Sequence, residues 1–169
     1  MTMLKDSADL ARSGERALSE IFARKILVAV DGSEVSFKAL GHALRIAKSE
    51  QSEVLAIHVI PKPPYSLSSQ ISDDEDRLVA SYYERARKQS QRWLGEVEYL
   101  ARKAGVKAKV EVLVDATSIV ESITTFAEMN NVDLIVTGTK GRSNSKRILM
   151  GSVANGVVTH AHCAVLVVR

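Results

Sequence analysis

Val132-Asp-Leu-Ile-Val-Thr137-Gly138-Thr-Lys-Gly141-Arg-Ser-Asn-Ser-Lys-Arg-Ile-Leu-Met-Gly151-Ser152 is the stretch that decides the fold of this 169-residue chain. The apolar run 132–137 reads as a strand buried on both faces, as in a parallel sheet. Gly138 and Gly141, three apart at its end, let the backbone turn sharply and approach a ligand closely. Gly151-Ser152 then opens a helix over 153–161, where free N–H groups and the helix dipole favour an anion. Lys140, Arg142, Lys146 and Arg147 lie between these glycines, with no acidic residue among them. Strand, glycine turn, cations and helix start form an arrangement that holds phosphate.

Working outward, the same alternation repeats. Lys25 to Val30 is a near-continuous apolar run, broken by Asp31-Gly32-Ser33. Ser33 is placed to cap a helix that buries Leu40, Ala43, Leu44 and Ala47. A second strand spans 53–60 and stops at Pro61, Pro63 and Pro64; a Ser- and Pro-rich loop runs to about Ser72. A long helix is predicted from Asp74 to Lys103, with Leu78, Tyr82, Ala86, Trp93, Val97, Leu100 and Ala101 on one stripe and Gly105 as its stop. The third strand, 106–114, alternates Lys107, Lys109 and Glu111 with apolar residues. Thr117 or Ser118 caps the next helix, which ends near Asn130-Asn131. The last strand is Ala164 to Val168. Strands alternating with helices imply an α/β fold: an open, doubly wound, five-stranded parallel sheet with helices on both faces. Residues 25–169 read as one domain and 1–24 as an N-terminal extension. Within the extension, Leu10, Leu18, Ile21 and Phe22 sketch a weak amphipathic helix interrupted by Gly14, or a tail.

Composition narrows the function. The net charge of +3 and 5% aromatic content argue against a nucleic-acid surface. No apolar run approaches the roughly 20 residues needed to cross a bilayer. Cys163 is the single cysteine, so no intrachain disulfide forms. With no secretory or transit pattern in the first residues, a reducing, cytoplasmic setting is expected. His58, within an apolar strand, reads as a packed core histidine, and Trp93 and Cys163 as packing residues. His160 and His162 read as helix-end residues rather than metal ligands.

In open parallel sheets ligands bind beyond the carboxyl ends of the strands, where strand order reverses. The first strand ends at Asp31 and the fourth at Gly138. In the order 3-2-1-4-5 they flank one crevice. The third strand is a charged, protected edge; the fifth, 164–168, is uniformly apolar and is expected to be covered by a second copy, as a two-fold homodimer. No nucleophile–base pair stands out, and the loop is not a P-loop, so no catalytic residue is assigned.

These residues resemble the universal stress protein family. Its signature, Gly-x2-Gly-x9-Gly-(Ser/Thr), is matched in spacing by Gly138, Gly141, Gly151 and Ser152. Lys25 to Ser33 and His160 to Arg169 also look like the family's first and last strands, so the resemblance covers residues 25–169. It implies a Rossmann-like fold of the adenine nucleotide alpha hydrolase type, dimerisation through the last strand, and the family's ATP-binding branch. Carried over by position, Ala29 and the backbone of Val59 lie at the adenine. Asp31 lies at the ribose and the metal–phosphate region, Thr137 and Gly138 beside the ribose and phosphates, and Gly141, Arg142, Gly151, Ser152 and Val153 around the phosphates. The resemblance implies ATP, with Mg or Mn carried by the nucleotide and met by Asp31. Ala154 stands where the ATP binders usually have a hydroxyl, and Ala164 where proline is frequent. The expected function is a nucleotide-responsive stress or regulatory protein. The alternatives are a slow nucleotide hydrolase or nucleotidyl-transferase, or an interaction module whose pocket is vestigial or holds AMP.

Overall fold

The computed structural model describes residues 23–63, 73–141 and 150–169. In chain order the elements are β1 (Lys25–Ala29), α1 (Glu34–Glu50), β2 (Glu53–Pro61), α2 (Asp73–Ala104), β3 (Ala108–Ala116), α3 (Ile119–Met129), β4 (Leu134–Gly138), α4 (Ser152–His160) and β5 (Ala164–Val168). Every strand pair is parallel, and the order is β3-β2-β1-β4-β5, as the sequence implied.

Past Lys25, β1 is apolar because its middle residues have no solvent face. Ile26 and Val28 pack under α1 and α2 with Leu40, Ala43, Leu94 and Val97. Leu27 packs on the other face with Ile123, Ala127 and Val157 from α3 and α4. The chain leaves β1 toward β2 on one side and later returns to β4 on the other. The carboxyl ends of β1 and β4 therefore splay helices to opposite faces and leave a crevice between them.

The helix signals act as the sequence suggests. Ser33 caps α1, its side chain accepting from the Ser36 N–H, and Gln51 closes the helix in the left-handed region. Of the two candidate caps before α3, Ser118 is the one used. Gly105, at φ +71°, ends α2. The Val106 N–H then bonds back to the Ala101 carbonyl at 2.9 Å. That bond consumes Val106, so β3 starts at Ala108 rather than at 106. Likewise Asn131 turns at φ 51° and the Val132 N–H closes onto Ala127 at 2.9 Å. β4 accordingly begins at Leu134, not at 132. In both cases apolar residues assigned to a strand belong to the helix stop before it.

Leu78 departs from the expected stripe: it is 55% exposed. α2 has 32 residues, about 48 Å at the α-helical rise. The strands it covers span roughly 17–30 Å, so the first turns of α2 run past the sheet. At the other end of the sheet Glu53 holds β3 against β2. Lys107 Nζ and Lys109 Nζ lie 3.3 and 3.1 Å from its Oε1.

Candidate functional site

β1 continues through Val30 into the turn Asp31-Gly32-Ser33, and the turn is fixed from several sides. Asp31 Oδ1 accepts from the Ser33 N–H at 3.0 Å and from Ser33 Oγ at 2.6 Å. The same Ser33 Oγ accepts from the Ser36 N–H at 3.1 Å, tying the carboxylate to the start of α1. Gly32 has φ +81°, and a Cβ built there would fall 2.1 Å from Trp93 Cε2. The indole of α2 thus lies directly against the turn. Its ring meets His58 edge-on, with centroids 5.0 Å apart at 76°. His58 Nδ1 donates to the Val30 carbonyl at 2.6 Å.

The opposite wall comes from β4. Thr137 is buried and Gly138 closes the strand. A glycine that ends a strand in a sharp turn often does so at positive φ. Here Gly32 and Gly105 are the described glycines at positive φ. At Gly138 the reason is close approach: a Cβ would sit 2.9 Å from Val35 Cγ1 and 3.2 Å from the Val35 backbone carbon. At Gly141 a Cβ would meet Asp31 Oδ2 at 2.7 Å, so this glycine lets the second turn reach the carboxylate of the first. Thr139 anchors the segment, its N–H donating to Val168 O at 2.7 Å and its carbonyl accepting from the Gly151 N–H at 2.7 Å. That last bond brings the glycine at the head of α4 back beside β4.

Gly151 is the N-cap of α4 and makes no side-chain cap bond, and the first turn of this helix holds no acidic residue. Ser152, Val153 and Ala154 from that turn line the cavity. The positive end of α4 therefore faces the crevice, and the helix's own first turn supplies no side-chain anion to neutralise it.

The crevice encloses a cavity of about 230 Å³. Ala29, Asp31, Val59, Thr137, Gly138, Gly141, Gly151, Ser152 and Val153 all line it. These are nine of the ten site residues read from the sequence. The tenth, Arg142, lies outside the described residues, as do Lys146 and Arg147. Ile57, Ile119 and Ile123 add an apolar wall, and His58 also borders the space. Sequence reasoning treated His58 and Trp93 as packing residues only. They do pack, but against the turn that carries Asp31. No periodicity signals this, because the contact joins β2, α2 and the β1 turn. Among the described lining residues, the cavity offers an apolar flank, the Asp31 carboxylate, the Lys140 side chain and the N–H groups of a helix start. Among the described residues no cluster of three or more His, Cys, Asp or Glu converges to hold a metal ion.

Fold and cleft together define a doubly wound α/β protein with a cavity at its switch point. The universal stress protein family model matches residues 23–169, and the chain belongs to that family. It is 42% identical over 149 residues to a universal stress protein of Methanocaldococcus jannaschii, an alignment covering 86% of this chain and 82% of the relative. Among solved structures, the universal stress protein UspA from Lactobacillus plantarum superposes with TM-score 0.73 at 26% identity, over 87% of this chain and 98% of that one. The universal stress protein from Archaeoglobus fulgidus in complex with dAMP superposes with TM-score 0.59 at 23% identity, over 88% of this chain and all 100% of that one, and so shares the fold. No helix among the described residues is long and apolar enough to cross a membrane.

Proposed function

We propose that this protein binds ATP in the crevice between β1 and β4 and acts as a nucleotide-responsive regulatory protein. One observation carries the reading: the uncapped start of α4 and the Asp31 turn face each other across a cavity with an apolar wall. Adenine and ribose suit the side made by Ala29, Val59, Ile119 and Ile123, all of which line the cavity. Phosphates suit the N–H groups at Gly151-Ser152-Val153, by charge and by hydrogen bonding. The family's dAMP-bound member supports an adenine nucleotide as the ligand class.

Asp31 fits a nucleotide-borne Mg or Mn ion in one respect. Its Oδ1 accepts from Ser33, and its Oδ2 lies toward the Gly141 turn, where phosphates are placed by this reading. Such an ion would draw most of its ligands from phosphate and water, which suits Mg²⁺. Residues 25–169 act as the binding domain, with 1–24 as an extension to it.

Freshly purified protein, denatured and examined by mass spectrometry, is expected to release an adenine nucleotide. Ligand-free protein is expected to bind ATP by calorimetry. No released nucleotide and no binding heat would overturn the reading. Multiple turnover of ATP that is lost in Asp31→Ala, with binding retained, would replace it with a hydrolase.

A further inference from the structure

A second cavity, of about 440 Å³, opens against the first and shares Asp31, His58, Val59 and Ile119 with it. Its own walls are Ile60 and Pro61 at the end of β2, and Tyr82, Arg85, Ala86 and Gln89 on α2. None of these α2 residues belongs to the glycine signature. The first cavity, at about 230 Å³, is smaller than the roughly 300–1,000 Å³ of ordinary ligand sites. The phosphate-side residues Gly141, Gly151 and Ser152 line only the first space. The second space therefore adjoins the nucleoside end, and the group common to both is the Asp31 carboxylate.

The chemistry of the second space is specific. Val59, Ile60, Pro61, Ala86 and Ile119 make an apolar wall. The Tyr82 ring is held there by its hydroxyl, which donates to Pro61 O at 3.1 Å. Gln89 offers an amide that both donates and accepts. Arg85 is held by its Nε, which donates to Ser81 O at 3.1 Å. Among the described residues of this lining, the charged groups apart from His58 are Arg85 and Asp31. One guanidinium suits a single phosphodiester rather than a polyphosphate, and an apolar wall with a tyrosine and an amide suits a planar base.

We propose that the site is bipartite and takes an adenine nucleotide extended from its ribose by a 3′,5′ phosphodiester to a second nucleoside. The second base lies between the β2 end and Tyr82, and Arg85 faces the bridging phosphate. The proposal rests on the nucleotide reading above, with Asp31 where the ribose meets the phosphates.

The test is calorimetry with two probes that differ only by the added nucleotide: ATP, and linear pppApA, which is ATP carrying adenylate on its 3′ hydroxyl. The wild-type protein is expected to bind pppApA roughly tenfold more tightly than ATP, the gain of one stacked base. Arg85→Ala, and separately Gln89→Trp, which fills the space, are expected to erase that gain and leave ATP affinity unchanged. Both positions are exposed, so the fold should tolerate the changes. Binding of pppApA no tighter than ATP, or a gain that survives both variants, would overturn the bipartite site while leaving the ATP reading intact. Binding of neither probe would remove the ATP reading and this proposal together.

Discussion

At the scale of single residues, three glycines do three different jobs that look identical in the sequence. Gly32 needs both its φ of +81° and the absence of a Cβ, which would lie 2.1 Å from the Trp93 ring. Gly32→Ala is therefore expected to cost about 2–4 kcal/mol of stability, from strain and overpacking. In a Trp93→Ala background the clash is gone and only the left-handed strain of about 1 kcal/mol should remain. Urea unfolding of the four proteins of that cycle checks this, and an unchanged cost in both backgrounds would separate Gly32 from Trp93. Gly141 is exposed, and its missing Cβ makes room for Asp31 Oδ2. Gly141→Ala should leave the melting temperature of ligand-free protein nearly unchanged and weaken ATP binding about tenfold. Gly138 was legible as a site glycine, but its physical role was not. The contact with Val35 joins β4 to α1, and nothing local to position 138 encodes it. Gly138→Val should consequently damage the fold as well as the site.

At the scale of elements, local signals carried most of the architecture. Ser33, Ser118, Gly105 and the apolar strands were readable because caps, stops and burial are written in neighbouring residues. What escaped was where one element hands over to the next: Val106 and Val132 look like strand residues and serve helix stops. The α4 start was legible from Gly151-Ser152, and it suggests an engineering test. Ala154 is buried and lines the cavity, in the first turn where a hydroxyl is missing. Ala154→Ser should tighten ATP binding by about 0.5–1.5 kcal/mol, roughly two- to tenfold, as read by calorimetry; an unchanged affinity would place the phosphates away from this turn. The β2–β3 pairing carries a pH dependence of its own. Burial pushes the Glu53 carboxyl up, but the bonds from Lys109 and Lys107 and their charges outweigh it and hold it below the usual carboxylate range. A lowered folded-state value means that the stabilisation is present above the unfolded value, near pH 4.3, and is lost as pH falls through the folded one. Glu53→Gln should flatten that acid limb when stability is followed by denaturant unfolding from about pH 6 to pH 3; an identical limb would show the lysine contacts to be energetically silent.

At the scale of the whole molecule, the two edges of the sheet are built differently. β3 exposes Lys109 and Glu111 along its length, charges that discourage another strand from pairing with it. β5 pairs with β4 on one side and carries only Ala164, Val165, Leu166, Val167 and Val168. Its middle residues remain half-exposed in the single chain. An apolar edge without charge, proline or bulge is a template for pairing, and a two-fold axis closes it without generating a filament. We therefore expect a homodimer through residues 164–168. The crevice would be unaffected by that contact except at one point: Thr139 donates to Val168 O at 2.7 Å, so the dimer edge and the phosphate-side loop share an anchor. Sedimentation of the wild-type chain at micromolar concentration should give twice the monomer mass. Val167→Lys, which places a charge at the centre of the paired edge, should shift it to monomer with little change in the unfolding midpoint measured on dilute protein. A wild-type monomer at that concentration, or a dimer indifferent to the lysine, would move the interface away from β5 and leave the bare edge to be explained by another partner.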